Sequence, residues 1–98
     1  MYKILKSLKR FFGFQRYRFY IAIITTDKTI LPAFAWEEID RNDITEEYIK
    51  KGYEENYALS VKEVNIVNTF TVSQSCAMEL INSIDFEKIY TQEVTSNG

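Results

Sequence analysis

The chain has no histidine, one cysteine (Cys76), one proline (Pro32) and three glycines (Gly13, Gly52, Gly98) among 98 residues. Without imidazole, Ser-His-Asp and Cys-His hydrolysis, HExxH zinc chemistry and histidine proton relays are all excluded. A single cysteine makes neither an internal disulfide nor a multi-cysteine zinc site. Cys76 lies in Ser75-Cys76-Ala77-Met78, which reads as a helix start. The nearest cations in sequence are Lys62 and Lys88, so it reads as a small apolar side chain, not a nucleophile. The glycines are too far apart for a GxGxxG or GxxxxGK phosphate loop. No apolar run nears the roughly 18 residues of a membrane span. The longest, Phe19–Ile24, is six residues. Nothing reads as a secretory signal, so a reducing cytoplasm is the expected compartment. No cofactor and no metal are expected.

What is present is globular in character: 46% hydrophobic and 27% charged residues in one domain spanning 1–98. Seven Phe, seven Tyr and one Trp supply core volume that a short chain otherwise finds hard to assemble. The net charge of −2 conceals a polarity. Residues 1–26 carry Lys3, Lys6, Lys9, Arg10, Arg16 and Arg18 and no acid, whereas the remainder carries six bases and all fourteen acids. Such asymmetry points to a charged partner at one end, or to the two regions meeting within a chain or across a homodimer.

Residues 2–12 read as a basic amphipathic helix (1–13 as a segment), with Ile4, Leu5, Leu8, Phe11 and Phe12 on one arc and Lys3, Lys6, Lys9 and Arg10 on another. Gly13 suits its C-terminal cap. Arg16–Thr26 alternates as a strand, Thr25–Thr29 as a turn, and Ile30–Trp36 as a second strand, with Pro32 favouring an edge. Asp43 and Glu46 have capping-box spacing, which predicts a helix over 44–51 stopped by Gly52. Leu59–Val72 is strand-like with a phase slip that predicts a bulge or a break near Lys62-Glu63. Ser73–Ile84 has helical spacing through Ala77, Leu80, Ile81 and Ile84. Phe86–Val94 is read as a short strand and 95–98 as a loose tail. The expected fold is α+β: an antiparallel sheet of 3–4 strands, with the N-terminal amphipathic helix and two further helices packed on it.

Three constellations carry functional weight. The acidic, tyrosine-bearing stretch Asp43, Glu46, Glu47, Tyr48, Tyr53, Glu54, Glu55 and Tyr57 combines carboxylates with rings that offer contact area at low entropic cost, a composition suited to a protein interface. Its plain alternative is a solvated helix face with tyrosines at the core margin. Adjacent acids point apart on a helix, so the doublets make no catalytic pair. Asp40-Arg41-Asn42-Asp43 opens like a calcium loop, but Ile44 replaces a ligand and Lys51 stands where the bidentate glutamate belongs. The second constellation is Lys6, Lys9, Arg10, Arg16, Tyr17, Arg18 and Tyr20, where cations interleave with rings as nucleic-acid binding requires. Arg10–Tyr17 matches five of seven specified RNP1 positions, yet Phe11 replaces a glycine, Gln15 a valine, and too little chain precedes it. The third is the 2–12 helix as a membrane-surface element, which its use over the protein's own sheet outweighs.

The sequence therefore predicts a small non-enzymatic interaction module, of adaptor or inhibitor type. It would bind a protein partner through the acidic tyrosine surface, with the basic N-terminal segment as second contact or self-association arm. The alternative is a small nucleic-acid-binding protein using the basic/aromatic segment 6–20. A homo-oligomer fits either, and membrane association is not expected. Enzymatic activity would have to run on carboxylates and tyrosines alone.

Overall fold

Alternating apolar residues from Tyr17 onward build a strand, and the Thr26–Thr29 turn folds the chain back along it. In the computed structural model, which describes residues 13–89, β1 (Arg16–Thr26) pairs antiparallel with β2 (Ile30–Glu38). The Thr26 amide donates to the Thr29 carbonyl at 2.9 Å, and Thr26 Oγ1 accepts from the amides of Lys28 (3.2 Å) and Thr29 (3.1 Å). That turn sets the register, with Arg18 opposite Glu37 and Phe19 opposite Trp36. β3 (Val61–Ser73) joins β1 on its other side, also antiparallel, giving the strand order β2-β1-β3. Pro32 thus lies on an edge strand, where its missing N–H is tolerated.

β3 contains two bulges. Its register against β1 shifts at Thr25/Thr26 and again at Ile21/Ala22, leaving Lys62 and Val67 as the extra residues. The first is the expected break near Lys62-Glu63, and it lets Val61 and Val64 both reach the core. The second was not visible in the sequence. Val64 and Ile66 sit beside Ile24 and Ala22 on one face, whereas beyond Val67 Phe70 pairs with Phe19 and Val72 with Tyr17 on the other.

α1 (Glu46–Tyr57) covers the first face, adding Ile49 and Tyr53 to a core of Ala22, Ile24, Ala33, Leu59, Val61 and Val64. Two sequence expectations are corrected here. The N-cap is Thr45, not Asp43: Thr45 Oγ1 accepts from the Tyr48 amide at 3.1 Å. Asp43 instead pairs with Arg41 at 2.6 Å, and Glu46 reaches β3, accepting from the Ile66 amide at 2.8 Å. Nor does Gly52 stop the helix. Ile49, Tyr53 and Tyr57 continue an i, i+4 stripe onto the sheet, and this packing outweighs the propensity cost of one glycine. The helix ends at Ala58, in the left-handed conformation with φ 54°.

The second face carries a row of rings, Trp36–Phe19–Phe70, each pair stacked with centroids 5.6 Å apart. α2 (Gln74–Ser83) follows β3 directly. Ser73 caps it, accepting from the Cys76 amide at 3.3 Å, and it packs against β1 and β3 with Ala77 fully buried. Residues 86–89 form a helical turn, not the start of the expected strand. Asp85 initiates it: its Oδ1 accepts from the Lys88 amide (2.9 Å) and its carbonyl from the Ile89 amide (3.1 Å). The α+β class is as expected, with a three-stranded antiparallel sheet. The 2–12 helix, residues 90–94 and the 95–98 tail lie outside the described residues.

Candidate functional site: a tyrosine-walled cleft along the β2 edge

The helical spacing of the α1 tyrosines brings them to the outer edge of β2. Tyr53 reaches over that edge, where its hydroxyl donates to the Phe34 carbonyl (2.7 Å) and accepts from the Phe34 amide (2.9 Å). Main-chain groups that an edge strand would leave open are thereby satisfied within the fold. Tyr57 stacks on Tyr53 with centroids 5.4 Å apart, and Tyr48, in the first turn of α1, is 56% exposed. Phe86 approaches Phe34 edge-on at 6.3 Å and lies against Trp36 at 5.9 Å.

Between these rings runs an open cleft of about 830 Å³. Phe34, Ala35 and Trp36 contribute from β2, Ile44, Tyr48, Ile49, Tyr53 and Tyr57 from α1 and its approach, and Ile81 and Phe86 from the C-terminal side; Lys51, Glu55 and Asn56 also line it. The volume and the mostly apolar lining match those of ligand-binding clefts. A polar notch of about 290 Å³ adjoins it, sharing Trp36, Ile44 and Tyr48 and adding Tyr17, Glu37, Glu38, Arg41 and Asp43.

The notch is held open by a polar cluster that follows from the hairpin register. Arg18 stands opposite Glu37, with Arg18 Nη1 3.5 Å from Glu37 Oε2. The Tyr20 hydroxyl donates to the same oxygen. The other, Oε1, accepts from the Asp43 amide at 2.9 Å. Arg18 also donates to the carbonyls of Arg41 (2.9 Å) and Ile39 (3.2 Å). One buried carboxylate and one guanidinium thus fix the course of residues 37–43 and the angle at which α1 begins. Burial pushes the Tyr20 phenol above its ordinary pKa of 10.0, reinforced by its hydrogen bond to Glu37. Arg18 is raised chiefly by its hydrogen bond with Tyr20, and Arg41 by its hydrogen bond with Asp43.

Of the acidic, tyrosine-bearing set, the structure brings Tyr48, Tyr53, Glu55 and Tyr57 together around the cleft and puts Asp43 in the notch. Glu46 is engaged with β3. Glu47 is exposed and Glu54 half-buried, and neither lines the cleft. In the basic set, Arg18 and Tyr20 brace the 37–43 loop, Tyr17 is half-buried at the notch, and Arg16 is exposed. Lys6, Lys9 and Arg10 lie outside the described residues. Sequence reasoning missed Phe34, Trp36, Phe86 and Glu37. The symmetric Asp27-Lys28 turn, extended residue by residue, already places Arg18 across from Glu37 and would have found that pair. Phe86 gave no comparable signal.

Comparison with protein-family models, curated proteins and solved structures returns no match for this chain. Among the described residues no helix is long and apolar enough to cross a membrane.

Proposed function

We propose that this protein is a small, non-enzymatic cytoplasmic interaction module of adaptor or inhibitor type, which binds a protein partner at the tyrosine-walled cleft. The carrying observation is the convergence of Tyr48, Tyr53, Tyr57 and Glu55 with Phe34, Trp36 and Phe86 around one open, apolar cleft. Tyrosine and tryptophan at the centre of a concave patch are the residues that dominate binding energy at protein interfaces. Glu38, Asp43 and Glu55 stand at its polar margin and in the adjoining notch. The partner segment that fits is one that inserts an aliphatic or aromatic side chain and flanks it with lysine or arginine. The basic N-terminal segment serves as a second contact or self-association arm.

Selection from a displayed random-peptide library tests this directly. Peptides with an apolar anchor next to Lys or Arg should be enriched. Tyr48→Ala should weaken their binding by about tenfold or more, the ordinary loss for truncating a central interface ring. Glu55→Lys should reduce it and steepen nothing with salt. Glu46 is unsuitable for charge reversal because it holds the Ile66 amide. No enrichment, or enriched peptides that bind Tyr48→Ala equally well, would remove the reading.

A further inference from the structure

The two edges of the sheet are treated differently. On β2, Pro32 and the Tyr53 hydroxyl close the outer side, with both main-chain groups of Phe34 occupied. On β3, among the described residues, no strand lies beyond, and Glu46 engages one amide, that of Ile66. Past the Val67 bulge, residues 68–73 run in regular register with β1. Val67, Asn68, Thr69, Thr71 and Ser73 are exposed, Val67 to 55%.

Beyond the Val67 bulge, this edge also lacks the charge and the proline that commonly protect one. Residues 64–78 contain no charged side chain and no proline in a chain with 27% charged residues. Native edges are ordinarily blunted by lysine, proline or an inward charge. In addition, the aromatic row Trp36–Phe19–Phe70 runs across all three strands and ends, half-buried, at this edge.

We infer that β3 is a self-association edge: a second copy of this chain pairs antiparallel with it across Phe70, forming a two-fold dimer with one continuous six-stranded sheet. The register follows from geometry. In an antiparallel pair, opposed residues must both point their main-chain groups at each other or both away, so a two-fold axis passes through a residue position. Centred on Phe70, it sets Phe70 against its own copy and Thr69 against Thr71. Aromatic–aromatic and Thr–Thr pairs are among the favourable cross-strand combinations. The three-ring row would double to six. An acid-rich chain meets a second copy here with no like charges opposed. Among the described residues the other edge of each sheet is β2, which Pro32 and the Tyr53 hydroxyl blunt, so assembly stops at two.

The test is the solution mass of the full chain by sedimentation equilibrium at tens of micromolar, in low and high salt. The expected result is twice 11.6 kDa, unchanged in 0.5 M salt. Thr71→Lys changes an exposed side chain and should halve that mass while leaving the circular dichroism spectrum intact. Thr69→Lys should do the same, since it opposes Thr71. A monomeric wild-type chain would overturn the inference. So would a dimer that persists in both lysine variants, or one that dissolves in salt, which would place association on the basic and acidic segments instead.

Discussion

Replacing Tyr20 with phenylalanine removes one oxygen from a point where β1, β2 and the loop into α1 meet. Glu37 Oε2 would keep Arg18 at 3.5 Å but lose its hydroxyl donor. Leaving a buried carboxylate short of a partner costs about 1–3 kcal/mol, so Tyr20→Phe should lower stability by that amount in urea unfolding at pH 7. The same residue sets an alkaline limit. Its phenol holds its proton more tightly folded than unfolded, because burial and Glu37 both disfavour the phenolate. Stability linked to it is therefore complete below pH 10 and is lost as pH rises through the higher folded value. The melting temperature should fall above pH 10 in the wild type, and less steeply in Tyr20→Phe. An equal alkaline slope in both proteins would show that the decline arises elsewhere.

At the scale of the element, α1 contains a correctable weakness. Gly52 lies in the helix interior, its φ is not in the left-handed region, and a Cβ there would meet nothing within 4 Å. Gly52→Ala should therefore stabilise by about 0.5–1 kcal/mol, by removing backbone freedom from the unfolded chain; thermal unfolding checks the sign. The sequence was readable where one pattern dominated. β1, the β1–β2 hairpin, the Lys62 bulge and α2 all follow from alternation, turn residues or i, i+4 spacing. It misled where a local signal competed with packing. Gly52 looked like a terminator because propensity is local, whereas the Ile49–Tyr53–Tyr57 stripe that carries the helix on counts only against a sheet. The Val67 bulge was hidden because, Val67 itself apart, apolar residues stay on even positions from Val64 to Val72 while the face they point to changes. Of the cleft, the α1 wall was legible and the Phe86 wall was not.

For the whole molecule, the sheet edges and the cleft are linked through Tyr53. Its hydroxyl closes β2 at Phe34, and its ring forms part of the cleft wall. Hydrogen exchange should show the Phe34 amide protected although it lies on an edge strand. In Tyr53→Phe that amide should exchange much faster, with central β1 amides little changed, since those are bonded on both sides by neighbouring strands. Equal protection in the variant would mean that something other than Tyr53 shields the edge. The Val67 bulge has a consequence of another kind. One strand supplies Val64 and Ile66 to the α1 side and Phe70 and Val72 to the other, so it acts as a crank between two layers that would otherwise be independent. The correspondence between sequence and layer depends on chain length at that point. Losing one residue there would turn Phe70 and Val72 away from the face that carries the ring row without altering any side chain, so homologous chains should tolerate exchange at this position far more readily than insertion or deletion.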